Sequence, residues 1–184
     1  MLEALPPEFE DIRKRLRSLR VAEEDIAETL RAICEDLHPS SIDEPVGLPI
    51  ALETEMRRLR SLGRGWKGEI SFETVSEPLP LSPKQQLTSL RICREAVTNA
   101  LKHARATKIH VRLIYPSTNQ GEVTIEVCDN GIGATRPNVR AGHFGIRNMR
   151  EAATAIGGTF QIDSRDGTTI VVRFPCVALP LPDA

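Results

Sequence analysis

Residues 82–104 have the pattern of one long helix, and the pattern begins with a strong capping signal. Ser82 is a favoured N-cap residue, and Pro83 follows at the first helical position, where a missing N–H is tolerated. Apolar residues then recur at spacings of three and four, which places them on one face of the helix. They are Leu90, Cys93, Val97, Ala100, Leu101 and Ala104. The sequence therefore predicts a helix that packs this face into a core.

A second face of the same helix is polar. Glu95, Asn99 and His103 recur at intervals of four and share one side, with Lys102 beside them. A polar side that simply meets water is an ordinary alternative, and for Lys102 it is an equally good one. Asparagine is unfavourable inside a helix because its amide competes for backbone hydrogen bonds, so Asn99 indicates another purpose. Its amide oxygen is a suitable ligand for a hard cation.

From residue 47 onward, helical and strand patterns alternate. Strands are indicated by alternation of apolar and polar residues, and a hairpin is indicated by Asp166-Gly167 between two such runs. This order predicts an α/β domain with a mixed or essentially antiparallel sheet covered by helices on one face. The predicted elements are helices at 47–62, 82–104 and 145–156, and strands at 69–75, 108–115, 122–128, 159–164 and 168–174.

Residues 5–37 carry apolar residues at alternating spacings of three and four, interrupted at Glu23, and predict one long helix. It either packs one stripe against its own domain or belongs to a dimeric helical bundle. We favour the bundle because a helix of about nine turns would overhang a domain of this size. Pro39 ends the helix. The predicted organisation is a helical dimerisation segment at 1–39, an α/β domain at 40–176 and a tail at 177–184.

The bulk properties of the 184 residues restrict the class of protein. The formal net charge of −1 gives no electrostatic footprint for nucleic acid or for an anionic membrane. No apolar run approaches the roughly 20 residues that cross a bilayer, although a longer parent protein could carry an anchor elsewhere. The four cysteines include no Cys-x-x-Cys pair and no signal-peptide pattern opens the chain, which favours a reduced, cytoplasmic setting.

Two glycine-bearing stretches follow the polar helix. Residues 129–133 read Asp-Asn-Gly-Ile-Gly directly after an apolar strand. A turn is the common reading of such a stretch. A carboxylate at the end of a buried strand is costly without a donor, however, and the amine of adenine would supply one. Residues 142–146, Gly-His-Phe-Gly-Ile, lead into a helix N-terminus that suits phosphate, although a flexible loop is the simpler alternative.

In this order, the pieces resemble the nucleotide-binding domain of the GHKL superfamily, which histidine kinases share with DNA gyrase, Hsp90 and MutL. Residues 94–104 resemble its N box, residues 129–133 its G1 box, residues 142–145 its G2 box and residues 167–169 its closing Gly-Thr element. Two stretches are most similar to sensor kinases that pair with NarL/LuxR-type response regulators. They are Lys102-His103-Ala104 and the Gly-His-Phe-Gly-Ile-x-x-Met series at residues 142–149. The resemblance implies a Bergerat fold, a two-layer α/β sandwich.

The resemblance also implies a role for each matched residue. Asn99 would coordinate the Mg²⁺ that bridges the phosphates of ATP, and Asp129 would accept from adenine N6. Glu95 would position the attacking group, and residues 134–145 would form a lid. The residues implied in ATP binding are Asn99, Lys102, His103, Asp129, Gly131, Gly133, Gly142, His143, Phe144, Gly145, Ile146, Thr168 and Thr169.

The chain departs from this subfamily in its histidines. The phosphoacceptor there is a His followed by an acidic residue, whereas the four histidines here precede Pro39, Ala104, Val111 and Phe144. We therefore expect residues 8–37 to correspond to the second bundle helix, in a fragment or a shortened relative. Three functions stay open: a histidine kinase module that acts as a homodimer with a response regulator, an ATP-binding regulator or serine kinase acting on a protein partner, and an ATP-hydrolysing GHKL ATPase.

Overall fold

The structure is a computed structural model that describes residues 47–62, 66–118, 120–133 and 144–176, together with Ile12 and Arg15. The chain divides into two units, Met1–Pro45 and Val46–Ala184. Apart from Ile12 and Arg15, the helix predicted at 5–37 lies outside the described residues, as does the tail at 177–184.

The second unit contains the helices and strands that the sequence predicts, and each end lies within one residue of the predicted position. None of the described helices is long and apolar enough to span a membrane. In chain order the elements are α1 (Leu48–Leu62), β1 (Glu69–Val75), α2 (Pro83–His103), β2 (Lys108–Ile114), β3 (Glu122–Asp129), α3 (Phe144–Ala155), β4 (Thr159–Asp163) and β5 (Thr168–Pro175).

The strands form one sheet in the order β1-β2-β3-β5-β4. β1 and β2 pair in parallel, with α2 as the connection between them, and the other neighbours pair antiparallel. Alternate residues of β2 and β3 are buried, as a sheet with one covered face requires. The predicted mixed sheet with helices over one face is confirmed.

Helix α2 lies at the centre of this core. Its N-terminus is a capping box, in which the Ser82 hydroxyl accepts from Gln85 N–H at 3.2 Å while Gln85 Oε1 accepts from Ser82 N–H at 3.0 Å. Two of its apolar side chains, Cys93 and Val97, are completely buried. Burial raises the pKa of the Cys93 thiol to about 12, so this residue is a neutral core side chain.

A buried ion pair joins α1 to α2. Glu55 on α1 is only 7% exposed, and a carboxylate in that position is costly unless cationic donors compensate it. Its Oε1 accepts from Arg94 Nε on α2 at 2.7 Å, and its Oε2 accepts from Arg58 Nε at 2.8 Å. The pair fixes α1 beside the residue that directly precedes Glu95.

We predict that Ser89→Ala stabilises the domain whereas Gln85→Ala destabilises it, although both side chains are buried on α2. Among the described residues, the Ser89 hydroxyl has no hydrogen-bond partner, so its removal relieves an unsatisfied group. Gln85 Nε2, in contrast, donates to the Pro175 carbonyl at 2.9 Å. The free energy of unfolding in urea should rise by about 1 kcal/mol for Ser89→Ala and fall by about 1–3 kcal/mol for Gln85→Ala. Equal losses in the two variants would contradict the prediction.

Candidate functional site

The polar face of α2 meets the beginning of α3. Asn99 Nδ2 donates to Glu95 Oε1 at 3.0 Å, so the two residues form one polar group on neighbouring turns. Gly145, in the first turn of α3, lies directly against this group. A Cβ atom at Gly145 would overlap Glu95 Oε1 and would lie 3.4 Å from Asn99 Nδ2. The glycine therefore allows the positive N-terminal end of α3 to begin beside Glu95 and Asn99.

The hydrogen bond to Glu95 determines how Asn99 can act. Because the amide nitrogen donates to the carboxylate, the amide oxygen Oδ1 is the atom that Asn99 can offer to another group. An amide oxygen is a ligand that hard cations accept. Glu95 and Asn99 are both half-buried, so neither side chain is enclosed in the core.

Lys102 and His103 are exposed at the C-terminal end of α2. Basic residues in a last turn also interact favourably with the helix dipole, so their position has an ordinary structural explanation. Both follow Asn99 within four residues, which keeps them on its side of the helix. The structure thus places both side chains next to the polar face without burying either.

Asp129 is the last residue of β3 and is 9% exposed. Its Oδ1 accepts from the Gly131 N–H at 2.8 Å, which forms a tight turn directly after the strand. Within the described part of the chain no further donor contacts this carboxylate. Asp129 can therefore present Oδ2 to a ligand at the covered face of the sheet.

The loop after Asp129 rests on the end of α2. Ile132 N–H donates to the Ala104 carbonyl at 2.8 Å, and Ala104 is the C-cap residue of α2. A Cβ atom at Gly131 would overlap the same carbonyl, so only glycine permits this approach. The residues predicted as N box and G1 box are thus in direct backbone contact.

The hairpin between β4 and β5 closes the other side of the loop. Gly133 has a φ of +72°, and a Cβ atom there would lie 2.7 Å from the Ser164 carbonyl oxygen. Gly167 has a φ of +83°, and a Cβ atom there would overlap the Asp129 carbonyl oxygen. The family resemblance implied that Gly131 and Gly133 are ATP-binding residues. The described structure explains both by contacts within the protein.

Thr168 and Thr169 point to opposite faces of the sheet. Thr168 is the cross-strand partner of Asp129 and shares its covered face. Thr169 pairs with Cys128 on the other face, where its Oγ1 donates to Cys128 Sγ at 3.5 Å. Burial raises the pKa of the Cys128 thiol, which keeps it a neutral acceptor. The structure brings Thr168 to Asp129 and does not bring Thr169 there.

Five of the residues predicted to bind ATP, at 142–146, lie around the start of α3. Gly142 and His143 lie outside the described residues, and Phe144 is the first residue of α3, with a side chain that also lies outside them. Ile146 is half-buried and packs against the hydrophobic core. In this stretch, Gly145 is therefore the residue that the described structure joins to the polar face of α2.

An open depression of about 370 Å³ lies at the hairpin tip. Its lining includes Asp163 and Thr169, which are cross-strand partners on the face opposite Asp129. Asp163 also binds Arg165, which holds the pKa of the Asp163 carboxyl below its usual range. This depression is consequently not part of the candidate site.

Asn130 is a structural support of the site that the sequence did not single out. Its Oδ1 accepts from the backbone N–H groups of Thr107 at 2.9 Å and Lys108 at 2.8 Å, and its Nδ2 donates to Thr107 Oγ1 at 2.9 Å. These bonds attach the loop after Asp129 to the turn between α2 and β2. Asparagine in a turn was the available signal, but its partners lie more than 20 residues away in the sequence.

The model of the histidine kinase-, DNA gyrase B- and HSP90-like ATPase family matches residues 85–178. The nitrate/nitrite sensor protein NarQ of Escherichia coli is 37% identical over 129 residues, which are 69% of this chain and 22% of that protein. The nitrate/nitrite sensor protein NarX of the same organism is 32% identical over 135 residues, covering 72% of this chain and 21% of that protein. The chain therefore spans about a fifth of the length of these relatives.

Solved structures agree in fold. The histidine kinase AdeS of Acinetobacter baumannii superposes with a TM-score of 0.62 at 14% identity, covering 94% of this chain and 87% of that one. The histidine kinase domain of the blue-light activated kinase from Erythrobacter litoralis EL346 gives a TM-score of 0.57 at 19% identity, covering 73% and 63%. The Bergerat fold expected from the sequence is confirmed.

We predict that Gly131→Ala destabilises the domain by about 1–3 kcal/mol, because the added methyl overlaps the backbone of Ala104 and forces the loop away from α2. Gly47→Ala is the matched control, since its methyl would meet only Pro49 Cδ at 3.6 Å. Thermal unfolding followed by circular dichroism should show a clearly larger loss for Gly131→Ala. If the two variants unfold alike, the loop is not in close contact with Ala104.

Proposed function

We propose that this chain, which belongs to the histidine kinase-, DNA gyrase B- and HSP90-like ATPase family, uses the site around Asp129 and Asn99 to bind Mg·ATP for phosphoryl transfer to a histidine. The observation that carries the proposal is the nearly buried Asp129 carboxylate, which keeps one oxygen for a ligand at the covered face of the sheet. Asn99 is half-buried on α2, and Lys102 and His103 are exposed further along the same helix.

Asp129 is the proposed adenine ligand. Gly131 N–H holds Oδ1, so Oδ2 is the atom that accepts from an exocyclic amine. A hydrogen bond to a charged acceptor in a nearly buried position discriminates strongly against a partner that lacks the donor. Thr168, the cross-strand partner of Asp129, is the proposed second contact from the hairpin.

The donor set on α2 fits a magnesium-bound triphosphate. Asn99 Oδ1 is the protein ligand proposed for the cation, and Mg²⁺ would neutralise charge on the phosphates when it is bound. Lys102 and His103 add exposed positive groups or donors on the same side. The N-terminal end of α3, which Gly145 brings beside Asn99, is a further favourable position for phosphate.

Glu95 is the proposed positioning group for the attacking nucleophile. Its Oε1 accepts from Asn99, so the carboxylate and the proposed cation ligand have a fixed mutual geometry. Phosphoryl transfer depends mainly on positioning and charge neutralisation, which such a pair can supply.

We propose that the phosphoryl group passes to a histidine on a dimeric helical bundle and from there to a NarL-type response regulator. The support is the similarity to NarQ and NarX, each at more than 30% identity. In this arrangement residues 1–39 would contribute to the bundle of a homodimer. Residues 40–176 would bind the ATP that donates the phosphoryl group, and the site would act in the cytoplasm. The chain spans only about a fifth of the length of those relatives, so the kinase activity of the whole protein is itself a proposal.

We predict that Asp129→Asn weakens Mg·ATP binding at least about fivefold. Gly131 N–H keeps the amide oxygen, so the new NH₂ group faces the amine of adenine, and a mismatch of two donors costs about 1–3 kcal/mol. Isothermal titration calorimetry should detect the loss. Glu122→Gln, an exposed change at the other end of β3, is the control and should bind as the unmodified protein does. Unchanged affinity for Asp129→Asn would remove Asp129 from the adenine site.

We predict that Asn99→Ala weakens ATP binding far more in Mg²⁺ than in EDTA, because the lost oxygen is a ligand of the cation and not of the base. Alanine is a good helix former, so α2 should persist, as far-ultraviolet circular dichroism can verify. The measurement is the ratio of affinities for the unmodified protein and the variant under each condition. The same ratio with and without the metal would assign Asn99 a different role.

A further inference from the structure

The turn at residues 104–107, between α2 and β2, supports the loop after Asp129. On the side of the loop, Ala104 accepts from Ile132 N–H, and Asn130 binds Thr107 through both its oxygen and its nitrogen. The hydrogen bonds of the loop to residues outside it therefore go to this turn and to the adjoining start of β2. A shift of the turn would move the backbone that follows Asp129.

The opposite side of the turn is held by Trp66. Its indole Nε1 donates to the Ala106 carbonyl at 2.7 Å, and Ala106 is 3% exposed. The neighbouring Glu69 N–H donates to the Thr107 carbonyl at 2.9 Å. A Cβ atom at Gly68 would overlap the indole ring, so the ring packs closely against this glycine. The turn thus lies between the segment at 66–69 and the loop at 130–132.

The backbone of the turn needs such support. Arg105 has a φ of +52°, a left-handed conformation that is unusual for a side chain with a Cβ atom. Residues of this kind persist where the surrounding structure holds them. Hydrogen bonds of Trp66 with Ala106 and of Asn130 with Thr107 hold the two residues that follow Arg105.

We propose that Trp66 is a positioning residue for the nucleotide. Through its hydrogen bond to Ala106 it holds the turn on which the loop after Asp129 rests, and it thereby sets the affinity for ATP without contacting ATP. The proposal rests on the proposed function, since it assumes that Asp129 binds the base. It adds a residue of the connection between α1 and β1 to the determinants of binding.

Trp66→Phe separates the hydrogen bond from the packing. The benzyl group keeps much of the aromatic contact with Gly68 and removes the N–H that Ala106 accepts. Ile162→Val, a conservative change of a core-packed residue on β4, is the control for a small loss of stability away from the turn. Both variants are compared with the unmodified chain by calorimetry with Mg·ATP and by urea unfolding.

The expected result is an affinity about two- to tenfold lower for Trp66→Phe, the range that one lost hydrogen bond gives, with no change for Ile162→Val. A second readout does not depend on a variant of Trp66. Trp66 is the only tryptophan of the chain, so tryptophan fluorescence reports on the turn. Emission should change when Mg·ATP binds the unmodified chain. The change should be lost in Asn130→Ala at saturating nucleotide, because Asn130 joins the turn to the loop.

The outcomes separate this inference from the proposed function. In one outcome, the unmodified chain binds Mg·ATP, Trp66→Phe binds it with the same affinity, and Trp66 fluorescence does not change with nucleotide. The positioning role of Trp66 is then overturned and the proposed function stands. If the unmodified chain does not bind Mg·ATP in calorimetry, the proposed function and the role of Trp66 are overturned together. A lower affinity that Ile162→Val shares would reflect stability alone and would also overturn the role.

Discussion

The burial of one face of helix α2 is the interaction on which the fold and the candidate site both depend. Its apolar side chains, among them the fully buried Val97, fix the rotation of the helix about its own axis. Because the rotation is fixed, Glu95 and Asn99 necessarily point toward the beginning of α3. The ion pair of Glu55 with Arg94 adds a second restraint from α1. The same hydrophobic contacts therefore stabilise the domain and orient its polar groups.

Most of the fold could be predicted from the sequence because its helices and strands have strong local signals. The capping pair Ser82-Pro83 and the spacing of apolar residues locate α2, and Asp166-Gly167 locates the hairpin. The polar face of α2 and the carboxylate at the end of β3 were predicted for the same reason, since each is a local departure from the expected pattern. These residues also match a known family motif, which supplied roles that spacing alone does not.

The remainder could not be predicted, because it depends on contacts between segments that are distant in the sequence. The opposite orientations of Thr168 and Thr169 follow from the pairing of β5 with β3, and no local pattern specifies that register. The bonds of Asn130 to Thr107 and of Trp66 to Ala106 likewise join loops whose approach results from the assembled sheet. Glycine at 131 was attributed to a ligand, although the packing of two loops already requires it.

The placement of α1 and β1 determines how small an independently folding unit of this chain can be. Both elements precede residue 85, where the match to the family model begins, yet they contribute buried side chains to the core, including Leu52, Met56 and Ile70. A protein trimmed to the matched residues would expose the flank of α2 that α1 covers. It would also leave β2, with its alternating Val111 and Leu113, as an unpaired edge open to intermolecular strand pairing. The minimal autonomous unit is therefore longer than the recognisable motif, and its N-terminal limit is no later than the start of α1.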